Sequence, residues 1–346
     1  MKARSTAIQG GLALVGLVAA YFTWQRPTET LKQDGVVLVE ATKSSLEKLR
    51  YSDGNRLVAL EKGDRFTVTY AWEPGKRPAY DAGVGLELMD GGVDGGAVVK
   101  PVQPPPAPDR TVFANERADT AWSKFTPFAG TRALGKLSEE KLSELGLTDS
   151  PRRLTITVSG AARDFTISKT VAGVLGSYAQ DDRSKDVFLI SSSIFNELDP
   201  NSTLLIDRRL HTFKLTEFDA FTVSADGERR AFVVSGAEVP ASLRIAPALT
   251  PDAPDELLKN WHEKVWNRLI VTEVLQQGEL PPKGAPQVVL RVEYTLKGRP
   301  VGWLELAGVE KTWWARSENT PGWVSMHGGT EDIALEGRKL AVEDGR

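Results

Sequence analysis

The chain has 346 residues, with 43 Lys and Arg against 46 Asp and Glu and a net charge of −3. That balance excludes a global positive field that would draw the chain onto nucleic acid or anionic lipid. The absence of cysteine excludes disulfides, thiolate metal sites, a cysteine nucleophile and a cysteine-linked lipid anchor, while 41% apolar and 26% charged residues describe an ordinary globular body.

The chain opens with one apolar segment, Ala7 to Trp24, in which Gln9 is the only strongly polar side chain. At 1.5 Å rise per residue a helix of this length spans about 27 Å, close to the hydrocarbon thickness of a bilayer. Lys2 and Arg4 precede it, and Tyr21 and Trp24 stand at its far end as an aromatic belt would. The expected order is a cytoplasmic tail over 1–6, a transmembrane signal anchor over 7–24 and a linker over 25–35. The positive-inside rule then gives a single-pass protein with a cytoplasmic N-terminus and its body on the extracytoplasmic side. A cleaved signal peptide ending near Val18-Ala19-Ala20 is the competing reading.

Beyond residue 35 one pattern occurs twice. Apolar positions at Leu46 and Leu49 lead into the turn Ser52-Asp53-Gly54 and the run Leu57-Val58-Ala59-Leu60. Phe218 and Phe221 lead in the same way into Asp226-Gly227 and the run Ala231-Phe232-Val233-Val234. Asp-Gly between apolar runs signals a hairpin, because glycine accepts positive φ. Each hairpin precedes a Pro-rich stretch, Pro101 to Pro108 and Pro240 to Pro254. Helices are expected over 116–124, over 139–145 with Ser138 as cap and Gly146 as stop, and over 255–277 closed by Gly278. Leu258, Trp261, Val265 and Leu269 lie on one face of the last helix. Strands follow in both copies: Leu154–Val158, Phe165–Ile167 and Asp186–Ile190, against Leu290–Tyr294, Val301–Leu306 and Trp323–Met326. Tyr178-Ala179-Gln180 is echoed by Trp314-Ala315-Arg316. The expected fold class is α+β: an N-terminal transmembrane helix followed by two similar strand-rich lobes from internal duplication. The lobes are 36–204, with a Pro/Gly-rich insertion over 73–109, and 205–346.

The run Gly146-Leu147 to Pro151, the strands Leu154–Val158 and Phe165–Ile167, and then Ser177-Tyr178-Ala179, Asp186–Ile190 and Asp207-Arg208-Arg209-Leu210 resemble a bacterial family. That family is catalogued as domain of unknown function 4340 (DUF4340). The resemblance covers roughly 38–213 well and the second lobe loosely, and this chain departs from it in the insertion from Glu73 to Asp109. It implies one N-terminal membrane segment and a strand-rich repeat, but no assigned reaction. It also implies company, because such proteins are often encoded beside ABC-type export systems, including those associated with gliding motility.

The sequence offers no catalytic, cofactor-binding or metal-binding residues. His211, His262 and His327 are far apart, and His262-Glu263 lacks the second histidine of a zinc-protease helix, which makes His262 a helix-surface residue. His211 reads as part of the inter-lobe connection. His327-Gly328-Gly329 has no G-x-S-x-G partner and reads as a turn. The glycines between Gly83 and Gly96 form no phosphate loop. Tryptophan placement is the one unusual signal: Trp303, Trp313, Trp314 and Trp323 all fall beyond residue 300. Strand alternation sends Trp313 and Trp314 to opposite faces, so one of them faces away from the core of its own lobe. That one either packs under a neighbouring lobe or helix or serves as a binding platform, and on the second reading Trp313, Trp314 and Trp323 are the candidate partner face.

The functional expectation is a membrane-anchored, non-enzymatic accessory protein of the bacterial cell envelope. It would contact an envelope protein, such as an ABC-type exporter, and would bind neither nucleic acid nor a cofactor. One alternative is a cell-wall glycan-binding module using the C-terminal tryptophans. Another is a hydrolase whose carboxylates come from distant strands.

Overall fold

A computed structural model of the chain describes residues 35–79, 106–169, 176–239 and 242–342. The segment 7–24 expected to anchor the chain, and most of the Pro/Gly-rich insertion, lie outside the described residues. Among the described residues 42% are in strands and 17% in helices. They form three antiparallel sheets, and no helix among them is long and apolar enough to cross a membrane. The expected α+β class with an N-terminal span is corrected accordingly: the described chain is predominantly β, with short helices laid over long sheets.

The strands in chain order are β1 (Val36–Val39), β2 (Leu46–Ser52), β3 (Arg56–Lys62), β4 (Phe66–Trp72), β5 (Arg110–Phe113), β6 (Phe128–Gly130) and β7 (Arg132–Lys136). Next come β8 (Arg153–Val158), β9 (Ala161–Ile167), β10 (Ser177–Asp181) and β11 (Asp186–Ile190). The second series is β12 (Ala220–Ala225), β13 (Glu228–Ser235), β14 (Arg244–Pro247) and β15 (Val271–Val274), then β16 (Gln287–Leu296), β17 (Arg299–Val309), β18 (Thr312–Ser317) and β19 (Val324–Met326). The helices are α1 (Arg117–Ser123), α2 (Glu139–Glu144), α3 (Glu256–Arg268) and α4 (Thr330–Val342).

The small sheet pairs β1 with β6. The nine-stranded sheet runs β5-β4-β3-β2-β8-β9-β10-β11-β7, and the eight-stranded sheet runs β14-β13-β12-β16-β17-β18-β19-β15. Set β2 against β12, β3 against β13, and β8 to β11 against β16 to β19, and the two orders coincide, with β4 and β14 on one flank and β7 and β15 closing the other. Only β5 has no counterpart. The central hairpins turn alike as well. Ser159-Gly160 and Lys297-Gly298 each place two successive residues at positive φ, the geometry that matches strand twist in two-residue hairpins. Asp226-Gly227 does the same, while Gly54 at φ +100° brings its backbone so close to Pro151 that a Cβ there would stand 2.3 Å from the proline Cβ.

Alternation puts the apolar side chains of both sheets on one face. Leu49, Val58, Leu60, Ile156 and Phe165 from the first, and Phe221, Val223, Phe232, Val292 and Leu304 from the second, belong to one continuous buried cluster. Two elements depart from expectation. The helix expected to reach 277 ends at Arg268, because Ile270-Val271-Thr272 is β-branched and Val271–Val274 pairs with β19 instead. Gly278 sits in a turn closed by Glu279 N–H donating to Gln276 O at 3.1 Å. The Pro-rich stretch after β13 likewise contains β14, whose Pro247 is tolerated because β14 is an edge strand.

Candidate functional site on the open face of the second sheet

The helices α3 and α4 cover one face of the eight-stranded sheet. The opposite face carries an ordered polar and aromatic array. In β16, Leu290, Val292 and Tyr294 point inward, so Arg291 and Glu293 point outward. In β17 the outward residues are Trp303, Glu305 and Ala307; in β18 they are Trp314 and Arg316. Register brings them together across strands: Arg291 pairs with Glu305, Glu293 with Trp303, and Glu305 with Arg316. The result is an alternating row of charges. Arg229 meets Glu293 at 2.8 Å, Glu293 meets Arg291 at 3.1 Å, and Arg291 Nη1 meets Glu305 at 2.5 Å. Arg316 Nε then closes on the other oxygen of Glu305.

Glu305 is 5% exposed, yet each carboxylate oxygen has a guanidinium, so its burial is compensated. Partial burial works against the charge of Arg291, but hydrogen bonds to Glu305 and Glu293 outweigh it and hold the guanidinium more firmly protonated than usual. Arg291 and Arg316 also stand 5.0 and 5.9 Å from the Trp303 ring centre, and Arg316 stands 4.6 Å from that of Trp323. Arg316 is thus held by one carboxylate and two indoles. Beside it opens a cavity of about 420 Å³, walled by Trp303, Arg316, Trp323 and the turn Gly278-Glu279-Leu280.

The three tryptophans singled out from sequence do not share one surface. Trp313 is half-buried and packs against the main core. Trp314 (4% exposed) and Trp323 (8%) lie on the open side but pack with Leu275, Ala307 and Val309 in a second, small apolar cluster. Trp323 reaches the cavity wall, while Trp314 donates its Nε1–H to Thr312 Oγ1 at 3.2 Å. Trp303, Arg291, Glu305 and Arg316 complete the array and were not singled out as site residues. The available signal was their i, i+2 spacing on adjacent strands.

His262 is not the helix-surface residue expected. It is fully buried on α3, within 4.9 Å of the Phe221 ring centre and 5.9 Å of that of Trp266, and neither ring nitrogen has a hydrogen-bond partner. Burial, with a smaller push from His211, lowers its pKa to about 3. His211 lies on the connection from β11 to β12 and packs on Trp266 and Tyr294 of the second sheet region, with Nδ1 3.1 Å from Glu318 Oε1. Burial pushes the Glu318 carboxyl up, but His211 and the Trp303 N–H outweigh it and hold the carboxyl below its usual value.

The neighbouring joint is built on Asp207, whose carboxylate accepts from Arg209 at 2.8 Å, Asn319 at 3.3 Å and Arg65 at 3.4 Å. Arg65 follows β3 in the first sheet, and its Nη2 also donates at 2.7 Å to Asn319 Oδ1 in the turn after β18. Arg110 of β5 adds a further tie, to Glu273 at 2.5 Å and Glu279 at 3.2 Å. These clusters join the two sheets. Among the described residues no group of three or more His, Asp or Glu is placed to hold a metal ion.

Fold and site together define a predominantly β protein of two like-ordered antiparallel sheets with a charged, aromatic open face. Residues 131–285 match the family described as "Domain of unknown function (DUF4340)", which supports the resemblance carried by the motifs between Gly146 and Leu210. The matched segment runs from β7 into the connection after β15 and so straddles both large sheets. No curated protein and no solved structure matches the chain.

Proposed function

We propose that the protein is a non-enzymatic interaction component of the bacterial cell envelope, working beside an export system of the ABC type. Its open-face array would dock a protein partner that brings an acidic side chain to Trp303. The observation that carries this reading is the row Arg229-Glu293-Arg291-Glu305-Arg316 wrapped around Trp303. Three guanidiniums face two carboxylates, so one positive charge is left for an acid from outside. Tryptophan and arginine are the residue types that dominate binding energy at protein interfaces. Because Arg291 and Arg316 are already held in place, little side-chain entropy is lost on docking. The apolar sequence from Ala7 to Trp24 behind Lys2 and Arg4 supports delivery to the envelope with the body outside the cytoplasm.

The test is photo-crosslinking in intact cells from a reactive residue at Thr320, on the cavity rim. A specific adduct identified by mass spectrometry as one membrane protein is expected. It should fall at least tenfold in Trp303→Ala and Arg316→Gln variants that remain folded. An adduct insensitive to both substitutions, or one to a glycan strand, refutes the proposal.

A further inference from the structure

A second site follows from the difference in how the two sheets are crossed. After β19 the chain returns over β12, β13 and β16 as the helix α4. Arg338 donates to Asp226 in the β12–β13 turn, and Gly337 sits against Leu290 of β16. After β11 the chain returns over β2, β3 and β8 as a 3-10 turn, Ser192–Phe195, and an irregular run. Phe195 stacks on Tyr51 at 4.6 Å, and Asn201 donates to Asp53 in the β2–β3 turn at 2.9 Å. Where the helix has no counterpart, a cavity of about 390 Å³ remains, lined by Tyr51, Asp53, Arg152, Phe195, Asp199 and Asn201. That size lies within the range of small-molecule sites.

Its chemistry is arranged. Arg152 donates through Nε to the Tyr51 hydroxyl at 2.6 Å and through Nη1 to Ser168 O at 2.7 Å. Its guanidinium stands about 5.5 Å from the Phe195 ring centre and 5.6 Å from that of Tyr51. Among the described residues no carboxylate lies within 4.0 Å of it, and Nη2 has no partner. The Tyr51 hydroxyl accepts from Arg152, and its own proton has no acceptor among the described residues. Burial pushes the Tyr51 pKa up, so that proton stays in place. On the rim, one Asp199 oxygen accepts the Asn201 N–H at 2.9 Å, and the other is free among the described residues. Asp53 differs: its oxygens are taken by the N–H groups of Asn55 and Arg56 and by Asn201, so it serves the turn.

We propose that this cavity binds a small zwitterion, its carboxylate held by Arg152 Nη2 and the Tyr51 hydroxyl and its ammonium by the free oxygen of Asp199. A fixed, unpaired guanidinium beside a hydroxyl donor suits a planar carboxylate. Phe195 and Pro200 offer apolar surface to whatever lies between the two charges.

The experiment is saturation-transfer NMR on the purified full-length chain, with alanyl-alanine and propionate as observed probes and inorganic phosphate as the competitor that displaces them. Saturable alanyl-alanine binding tighter than ~1 mM is expected. It should weaken at least tenfold in both Arg152→Gln and Asp199→Asn, while propionate is weakened by Arg152→Gln alone. Asp199 is exposed at the rim, so its variant stays informative if Arg152→Gln fails to fold. No saturable dipeptide binding, equal binding in the Asp199 variant, or tighter binding of phosphate overturns the proposal.

Discussion

Where α4 crosses the second sheet, Gly337 brings its backbone within reach of Trp261 and Leu290, and Trp261 Nε1 donates to Ile333 O at 2.9 Å. Where residues 192–206 cross the first sheet, Phe195 stacks on Tyr51 beside an open cavity. The strand order beneath is shared, so the difference lies in what is laid on top. A complete helix seals one face of the second sheet. A short turn leaves the first sheet incompletely sealed and a guanidinium without a carboxylate.

The largest effect that would break this contrast is Trp261→Ala, expected to cost about 3–5 kcal/mol because a fully buried indole leaves a cavity between two helices and a sheet. Phe195→Ala should cost less than half as much in the same denaturant titration, since its ring already borders open space. Equal losses would mean that the first sheet is sealed as tightly as the second.

Acid should separate the two regions next. His262 is neutral in the fold, with its pKa lowered from 6.5 to about 3, so the unfolded chain binds a proton that the folded chain does not. Its contribution is fully present above pH 6.5 and is lost as pH falls toward 3, at up to about 1.4 kcal/mol per pH unit. Asp53, Asp181 and Asp207 are also depressed, but their contributions begin to fade only near their ordinary value of 3.8. His262→Leu should therefore flatten stability between pH 6.5 and 4.5 and leave the lower limb. An unchanged profile would place the acid sensitivity elsewhere.

Gly337→Ala sharpens the comparison at smaller scale. A Cβ there would lie 2.6 Å from Trp261 Cζ2 and 2.7 Å from Leu290 Cδ2, and overpacking of this kind costs about 1–3 kcal/mol. The smallest effect belongs to the open face. Arg229→Ala removes a 65%-exposed partner of Glu293 and should change stability by less than about 0.5 kcal/mol, which marks that end of the row as surface rather than scaffold.

Much of the sheet framework was legible in local signals. Asp53-Gly54 and Asp226-Gly227 read as turns because glycine takes positive φ at both, and Leu154–Val158 read as a strand from alternation. The opposite faces of Trp313 and Trp314 followed from the same rule. The balance of helix and strand was misread where an apolar stripe outlasted its helix, at Leu269 to Val274. The β-branched residues there pair with β19, which lies far along the chain. His262 was misplaced because a polar letter on an amphipathic helix reads as solvent-facing, whereas an aromatic cluster encloses it. The two sites were illegible for a different reason. Arg152, Tyr51 and Asp199 come from three separated segments, and Arg291, Glu305 and Arg316 meet only through register.

The strand order also governs when each sheet can close during synthesis. β15 is made directly after α3, yet its only neighbour is β19, which emerges roughly 50 residues later. At typical rates of about 5–20 residues per second, β15 waits several seconds with both edges unpaired while β16 to β19 fold by successive hairpins. β7 stands in the same relation to β11. Each sheet therefore passes through a stage in which its meander is still incomplete and the strand that will close it has both edges bare. At that stage the nascent chain is open to pairing with a stranger, and a chaperone would have reason to bind it.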